Sequence, residues 1–519
     1  MQIQITNPVT GLDYPDPDVV RVGDAYYMVS TTMHFMPGGE ILRSYDLGNW
    51  EHVSYVYDRL DSTPGQTLTG EAHIYGKGMW AASLRFHKGV FYVCFTSNDT
   101  GKTYLYTAQS VQGPWEKHCI EGFYYDNSLL FDEDGSVYIA HGNRDVFITQ
   151  LKEDLSGPLE GGLNRLAVSD AGNPMLGYEG SHFYKINGRY YLFLIHSLRN
   201  RWMRTQACFQ ADSLEGEFTG GDVLCDDMGY FGQGVAQGGI VDTPEGKWYG
   251  VLFQDAGAVG RIPVLVPVRW EEDRPVFGEA GKAPRKVALS SGKPDYRYRP
   301  LVQSDDFREG ALVSRGQEPD FGCFGLKSSW QFNHEPELSL LRLDREAGVL
   351  WVTTDKLCAG LTQARNILTQ RMLYPGCGAE VTVDIGGLKE GDYAGICALQ
   401  GGYGMVSATK RDGVCCLVMK AVATDDALDT PKDLQEREWE RAEIAESRVR
   451  LRVEADFAGM RDEARFFYWH CGGWKKIGVT HKLHFKLDHF VGCRFGLFLY
   501  STLETGGRAG FADFVYTAH

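Results

Sequence analysis

Three carboxylic residues stand at matching places in the first half of the chain. Asp126 and Glu179 each precede a turn glycine by nine residues, and Asp16 precedes its glycine by seven. Hydrolysis of a glycosidic bond needs one protonated acid and one ionised acid, and a third charge nearby can raise the pKa of the first. If the segments around these residues are related by rotation, the three acids converge on one small site.

The segments that carry these acids belong to a pattern that occurs five times. Each copy is a short apolar stretch, a turn centred on glycine and an aromatic-rich apolar stretch, as in VVRVGDAYYMVST and FYKINGRYYLFLI. Trp80 and Gln237 hold the place of the acid in the second and fifth copies, nine residues before the glycine. The turn glycines, spaced by 46 to 66 residues, are Gly23, Gly89, Gly135, Gly188 and Gly246.

Each copy of the pattern predicts a tight hairpin in a largely buried sheet. Glycine supplies the positive φ of the turn, and Val, Tyr, Phe and Ile suit pleated strands. A repeat of this length fits one four-stranded sheet, and a ring of five such sheets is a five-bladed β-propeller. The alternative is an ordinary β-sandwich with unrelated hairpins, which gives no reason for an acid or aromatic residue at a fixed offset.

The chain is too long for one compact domain and is β-rich beyond the repeats. We predict an all-β protein with a propeller over residues 1–285, a linker over 286–303 and a two-sheet sandwich over 304–519. The last part has alternating strand patterns, such as AEVTVDI and VRLRVEA, but lacks the propeller repeat.

Composition limits the class of partner. The 519 residues include 52 basic and 68 acidic side chains, and the net charge of −16 argues against nucleic acid and anionic membranes. The start, MQIQITNPVTG, predicts no signal peptide, and no window approaches the ~20 apolar residues of a membrane span. Twelve scattered cysteines without zinc-ligand spacing indicate reduced thiols, so we expect a cytoplasmic protein.

Several segments, in order along the chain, resemble the motifs of glycoside hydrolase family 43. They are YPDPDVVRVGDAYYMVSTT, GMWAASLRFHKG, DNSLLFDEDGSVYIAHG, YEGSHFYKINGRYYL and GGIVDTPEGKWY with GAVGRIP. Further on, WQFNHEPE, LTQR and GDYAG resemble the C-terminal, concanavalin-like sandwich attached to the β-xylosidases of the family. The resemblance implies a five-bladed propeller, which agrees with the repeat count.

The resemblance also implies a role for each residue. Asp16 of the PDP motif would be the general base, Asp126 would tune the pKa of the acid and orient it, and Glu179 of the EG motif would be the general acid. The family inverts the anomeric configuration, so Asp16 would activate water without a covalent intermediate. Trp80 of the WA motif would line the sugar pocket, and Arg261 of the GR motif would contact the sugar near the acid.

The sequence departs from the family at two places. Gln237 stands where the family usually presents a histidine near the axis, and an amide is a poorer metal ligand, so we expect no central calcium and no required cofactor. Phe35 stands where many β-xylosidases carry tryptophan; it remains a candidate sugar contact but leaves the choice between xylose and arabinofuranose open. In the sandwich, Asp305 and Asp513 are candidates for a structural calcium.

We therefore predict an inverting exo-glycosidase that releases pentoses from xylo- or arabinoxylo-oligosaccharides, as a β-xylosidase, an α-L-arabinofuranosidase or both. Endo-arabinanase-like cleavage and a non-catalytic glycan-binding propeller are the alternatives, and the three acids argue against the second. A small oligosaccharide is the expected partner, and the sequence leaves a homo-oligomer open. Four other acids, Asp18, Asp132, Glu133 and Asp134, are expected at surface turns at or beside the hairpins.

Overall fold

The computed structural model describes residues 2–308, 323–422 and 436–519, and regular structure in these ranges is almost entirely β-strand. The strands of the first half are β1 (Gln2–Thr6), β2 (Asp18–Val22), β3 (Ala25–Ser30), β4 (Phe35–Met36), β5 (Gly38–Ser44), β6 (Glu51–Tyr57), β7 (Ser83–His87), β8 (Val90–Ser97), β9 (Lys102–Ala108), β10 (Glu116–Ile120), β11 (Ser128–Phe131), β12 (Val137–Asn143), β13 (Asp145–Leu151), β14 (Asn164–Ser169), β15 (Glu179–Ile186), β16 (Arg189–Ser197), β17 (Arg204–Ala211), β18 (Thr219–Leu224), β19 (Val235–Ala236), β20 (Ile240–Asp242), β21 (Trp248–Asp255), β22 (Arg261–Glu271), β23 (Arg274–Phe277) and β24 (Lys286–Ser290).

The second half continues in the same style. Its strands are β25 (Gln331–Asn333), β26 (Leu341–Asp344), β27 (Val349–Thr353), β28 (Leu368–Arg371), β29 (Gly376–Gly387), β30 (Asp392–Leu399), β31 (Gly404–Arg411), β32 (Val414–Val422), β33 (Glu436–Glu443), β34 (Arg448–Asp456), β35 (Glu463–His470), β36 (Gly473–Lys476), β37 (His481–Lys482), β38 (Arg494–Ser501) and β39 (Arg508–Ala518). Short 3₁₀ turns span Gly257–Val259, Cys323–Gly325, Leu338–Leu340, Leu361–Gln363 and Ala458–Met460.

Most strands between β2 and β23 build a ring of five antiparallel sheets. Four blades have four strands each, in the orders β2-β3-β5-β6, β7 to β10, β11 to β14 and β15 to β18. In the fifth blade β19 and β20 both pair with β21, and β22 and β23 follow. Each predicted turn glycine lies in the first hairpin of its blade with φ between 64° and 91°. The predicted five-bladed propeller is confirmed.

Strands β25 to β39, together with β4, form the predicted sandwich. One sheet has the order β33-β32-β31-β30-β38-β28-β25-β4, and the other has the order β26-β27-β39-β29-β34-β35-β36, with β37 pairing to β35. Apolar residues of both sheets, such as Val381, Leu451 and Phe495, are buried between them. This core is separate from the smaller apolar clusters between the propeller blades.

Two strand pairings join parts of the chain that the sequence analysis assigns to different regions. β4 follows the second strand of the first blade, yet it pairs with β25 of the sandwich through Met36 with Phe332 and Phe35 with Asn333. β1 pairs with β24, so residues 286–290 at the start of the predicted linker form a strand against the N-terminal segment. The first blade therefore supplies the last strand of a sandwich sheet.

The eleven cysteines whose side chains the structure describes are all free, and seven of them are buried. Within the three described ranges, no helix is long and apolar enough to cross a membrane. The cytoplasmic location stays a prediction.

A buried ion pair at the axis ties the blades together. The Asp18 carboxylate accepts hydrogen bonds from Arg85 Nη1 at 2.6 Å and Leu84 N at 2.7 Å in blade two, and it lies 3.0 Å from His182 Nδ1 of blade four. Arg85 Nη2 in turn donates to Ser128 Oγ of blade three at 2.6 Å. Although burial opposes ionisation, Arg85 and His182 lower the pKa of Asp18 to about 2.

The placement of Asp18 and Asp132 shows that the surface-turn prediction for both was wrong. Their exposed fractions are 0% and 6%. Asp132 accepts hydrogen bonds from Lys185 Nζ and Tyr190 Oη of the next blade, both at 2.5 Å. Asp18 and Asp132 are buried because neighbouring blades pack over them, whereas Glu133 and Asp134 are exposed as predicted.

Replacing Asp18 by Asn should lower the free energy of unfolding by about 3–5 kcal/mol, because the Arg85 charge stays buried without its partner. Urea unfolding followed by tryptophan fluorescence measures the change. Asp242→Asn is the matched control, since it breaks the Arg21–Asp242 pair, whose side chains are 27% and 35% exposed. We expect that control to cost about 0–1 kcal/mol. Equal losses in the two variants would contradict the structural role of the buried pair.

Candidate active site

The residues at the matching repeat positions meet at one end of the propeller axis. Asp16 and Asp126 come just before the innermost strands β2 and β11, and Glu179 is the first residue of β15. Trp80 precedes β7, and Gln237 lies between β19 and β20. Innermost strands of a propeller run side by side at its axis, so their starts gather these five side chains.

The backbone takes the same uncommon conformation at three of these positions. φ is 51° at Asp16, 48° at Asp126 and 53° at Gln237, in the left-handed region that other residues than glycine seldom occupy. In the fourth blade Glu179 is followed by Gly180, at φ 63°. Strain of this kind persists where the surroundings fix a residue, and it clusters at functional sites. The repeated offset in sequence thus corresponds to a repeated backbone geometry.

Asp16 is held by two donors. Its Oδ1 accepts from Arg261 Nη1 at 2.9 Å and its Oδ2 from Thr31 Oγ1 at 2.7 Å. Only 6% of Asp16 is exposed, so water screens the neighbouring arginine charge weakly. The Arg261 guanidinium also lies 4.4 Å from the ring centroid of Phe490 and 5.4 Å from that of Phe253. Asp16 and its charge partner are therefore fixed before any ligand binds.

Asp126 and Glu179 form a coupled pair of acids. The N–H of Gly180 donates to Asp126 Oδ2 at 3.0 Å, and Asn143 Nδ2 donates to Glu179 Oε2 at 2.7 Å. Burial raises the pKa of Glu179 to about 7, and the negative charge of Asp16 adds to the shift. Burial also raises the pKa of Asp126 well above its ordinary value, with help from Glu179. Neighbouring buried carboxyls resist joint ionisation, so the pair keeps a proton near neutral pH.

Three arginines oppose the effect of burial on the pKa of Glu179. Arg204 lowers this pKa most, followed by Arg261 and Arg144. Arg204 is buried, and its Nε donates to Asp255 Oδ2 at 2.6 Å. The balance leaves an acid that titrates close to neutrality, where a general acid is most effective.

Aromatic rings wall the pocket. The ring centroid of Trp80 lies 5.5 Å from that of Phe490 and 5.9 Å from that of Tyr125. Phe490 belongs to a sandwich loop between β37 and β38, and its carbonyl oxygen accepts from Arg261 Nη2 at 3.4 Å. The second domain thus closes one side of the propeller site.

Phe35 lies behind this wall. It is 1% exposed, it packs with Met33, Val491 and Trp80, and the Arg494 guanidinium stands 3.4 Å from its ring centroid. Its packing supports the indole of Trp80 from the protein side. The direct sugar contact of Phe35 stays a prediction.

Three residues at the site carry no motif in the sequence. Asn143 ends β12 and Arg204 begins β17, so both lie where outer strands return to the edge at which the innermost strand starts. Counting strand ends in each repeat could have found them. Phe490 belongs to the other domain, and nothing near it in sequence points to the propeller.

Comparisons with known proteins agree with this geometry. The model of Glycosyl hydrolases family 43 matches residues 5–275. The chain belongs to glycosyl hydrolase family 43. A second family model, the Beta xylosidase C-terminal Concanavalin A-like domain, matches residues 319–517. The recognised family and the hydrolase class predicted from the motifs are confirmed.

Relatives of this family 43 enzyme span both of its domains. A bifunctional GH43-CE protein of Bacteroides eggerthii has a TM-score of 0.89 at 40% identity, and the match covers 99% of this chain but 64% of that one. A GH43 glycoside hydrolase engineered for both endo-xylanase and exo-arabinofuranosidase activity has a TM-score of 0.87 at 27% identity over 100% of both chains. A Xylanibacter ruminicola protein is 32% identical over 390 residues, which are 73% of this chain and 69% of that protein. The chain thus spans less than two thirds of the first of these relatives.

Gln237 occupies the axis beside the acids of this family 43 site. Its N–H donates to Gln206 Oε1 at 2.7 Å, and its side chain lies so near Gly180 that a Cβ there would stand 2.6 Å from the Gln237 Cδ. Among the described residues, no group of three or more His, Cys, Asp or Glu side chains could hold a metal ion. Because the Gln237 side chain leaves no space for a Cβ at residue 180 and φ there is positive, a glycine is required at that position.

The two calcium candidates of the sandwich lie apart from the site. Asp305 is buried, and its carboxylate accepts from Phe307 N at 2.9 Å and from Trp330 Nε1 at 2.8 Å. Lys327 Nζ lies 3.2 Å from the same carboxylate. Asp513 is exposed on β39. Protein donors already surround Asp305, and the structural calcium stays a prediction.

Removal of metal ions should leave the activity of this enzyme unchanged. Gln237 stands where the family usually presents a histidine, and its amide is a poorer metal ligand. Dialysis against a chelator, followed by assay with and without added calcium, measures this. A Gln237→His variant assayed in parallel shows whether a histidine at the axis creates calcium dependence. Loss of wild-type activity that calcium restores would contradict the expectation, unless the ion is located in the sandwich.

Proposed function

We propose that the enzyme is an inverting, exo-acting glycosidase that releases pentoses, with Asp16 as the general base and Glu179 as the general acid. The contrast between these two acids carries the proposal. Asp16 is an ion-paired carboxylate on Arg261, whereas burial raises the pKa of Glu179 to about 7. One acid is thereby arranged to accept a proton and the other to donate one.

The proton transfers follow from this arrangement. Asp16 takes a proton from a water molecule whose oxygen attacks the anomeric carbon of the sugar. Glu179 gives its proton to the glycosidic oxygen as the bond from that oxygen to the anomeric carbon breaks. Attack from the face opposite the leaving group inverts the configuration, so a β-xyloside yields α-xylose. Asp16 ends protonated and Glu179 ionised, and exchange with solvent resets both.

Asp126 positions Glu179. It accepts the Gly180 N–H, which fixes the peptide next to Glu179, and the charge of Glu179 helps to raise the pKa of Asp126. Repulsion between their charges is mutual, so ionised Asp126 favours protonated Glu179.

Exo action has support in the second domain. Phe490 and the loop that carries it stand against Trp80 and Arg261 on one side of the pocket. A propeller cleft closed on one side accepts the end of an oligosaccharide more readily than its middle. This closure disfavours the endo-arabinanase-like alternative, and the arranged acid and base disfavour a purely glycan-binding propeller.

Names of related proteins support a pentose substrate. The Xylanibacter ruminicola relative has beta-xylosidase in its assigned name, and the matched C-terminal domain is described as that of a beta xylosidase. The engineered neighbour is described as displaying both endo-xylanase and exo-arabinofuranosidase activity. We therefore propose β-xylosides, α-L-arabinofuranosides or both, in short oligosaccharides. The free cysteines support the accompanying proposal of action in the cytoplasm.

Aryl β-xyloside and aryl α-L-arabinofuranoside should be tested side by side, and at least one should be cleaved. Proton NMR during cleavage of the xyloside should show α-xylose first. Asp16→Ala should reduce kcat by about 10²–10⁴-fold on every substrate. Glu179→Ala should reduce it most for xylobiose and least for a nitrophenyl xyloside, since nitrophenolate leaves without a proton.

Two outcomes would overturn this assignment. Initial release of β-xylose would show retention and remove the role of Asp16 as a base. Absence of cleavage with both aryl pentosides would favour the alternative functions.

Asp126→Asn should move the alkaline limb of the kcat profile to lower pH. Glu179 must be protonated to act, and in the wild type repulsion between the two carboxyls opposes the loss of the last proton. An uncharged amide at residue 126 removes that repulsion, so Glu179 ionises and activity disappears at a lower pH. Rates between pH 5 and 9 measure the limb. Asp242→Asn, far from the site, is the matched control and should leave the limb in place. An unmoved limb in Asp126→Asn would mean that Asp126 orients Glu179 without tuning it.

A further inference from the structure

Trp202 is an exposed aromatic residue at the edge of the active site. It lies in the loop between β16 and β17 and is 47% exposed. Glu179 pairs with Ile195, and Ser197 at the end of β16 pairs with Arg204 at the start of β17. The loop therefore stands at the same end of blade four as the general acid.

A stack of side chains connects Trp202 to the reacting acids. The Arg204 Cζ lies 5.4 Å from the ring centroid of Trp202 and 5.2 Å from that of Phe253. Arg261 also lies near the Phe253 ring, 5.4 Å from its centroid, and donates to Asp16. A chain of contacts thus connects the exposed indole, through Arg204, Phe253 and Arg261, to the Asp16 carboxylate.

Arg204 fixes the side of the pocket on which Trp202 lies. Of the three arginines near Glu179, Arg204 lowers the pKa of that acid most, and Asp255 holds the Arg204 guanidinium in place. Glu179 donates its proton to the oxygen of the leaving group, so the leaving sugar lies beyond Glu179 on the way to solvent. Trp202 is the exposed apolar surface beside Arg204 on that path. A single exposed indole needs no explanation by itself, but this one is held by a buried arginine beside the acid.

We propose that Trp202 is the platform for the leaving-group sugar, against which the apolar C–H face of a xylopyranose ring packs. The inference rests on the proposed function, because it needs Glu179 to act as the acid. Burial of the indole by the sugar supplies hydrophobic contact area, and the flat ring admits a pyranose in several rotations. Trp202 then determines which aglycone the enzyme prefers, while Trp80 and Arg261 contact the sugar that is released.

Comparing the cleavage of two substrates distinguishes a role of Trp202 in binding the leaving-group sugar from general damage to the pocket. Xylobiose has a sugar in the leaving-group position, whereas β-xylosyl fluoride has only fluoride there. Trp202→Ala should lower kcat/KM for xylobiose about ten-fold or more and change that for the fluoride less than two-fold. Trp202→Phe, which keeps an aromatic face, should retain most of the xylobiose activity. If the wild type cleaves only arabinofuranosides, an arabinosylated xylo-oligosaccharide and methyl α-L-arabinofuranoside replace the pair.

Trp439 supplies the matched control. It is 40% exposed and lies under the Arg437 guanidinium at 4.2 Å, but it is on β33, the strand of the sandwich sheet farthest from β4. Trp439→Ala should leave both substrates unchanged. Undiminished xylobiose cleavage in Trp202→Ala would overturn the platform, and so would equal losses on both substrates, which indicate damage to the pocket itself. Failure of the wild type on every pentoside would instead refute the proposed function.

Discussion

The Asp18–Arg85 ion pair is the interaction on which the ring of blades depends. Asp18 belongs to blade one and Arg85 to blade two, Arg85 reaches Ser128 in blade three, and Tyr184 of blade four donates to Asp18 at 3.4 Å. Tyr184 Oη also accepts the N–H of Ile240 in blade five at 3.1 Å. One buried carboxylate therefore connects all five sheets. Asp16 lies two residues before it, so the network that closes the ring also sets the position of the general base.

The active site balances burial against arginine charge. Desolvation favours the neutral forms of Asp126 and Glu179 and raises the pKa of both. Arg204 and Arg261 lower the pKa of Glu179. Asp255 holds Arg204 in place, and Asp16 holds Arg261. The pH at which the site can work therefore depends on the placement of these arginines as well as on the burial of the acids.

The sequence predicted the parts of the molecule that repeat. Turn glycines and residues at a fixed offset gave the propeller and the meeting of Asp16, Asp126 and Glu179, because equal offsets correspond to equal backbone positions around an axis. Asp18 was misplaced, since an acid near a hairpin is exposed in an isolated sheet and buried in a ring. Phe490 could not be found at all, because its place depends on how the second domain packs, which no local pattern records.

The short strand β4 has a consequence for the evolution of this protein. Phe35 and Met36 complete a sandwich sheet from within the first blade, and without them the edge of β25 would be left with unpaired backbone groups. The propeller, moved alone to another gene, would lose both that pairing and the wall formed by Phe490. Recombination at the apparent domain border would therefore expose a sheet edge and open the catalytic pocket of this protein, so its two sequence domains depend on each other.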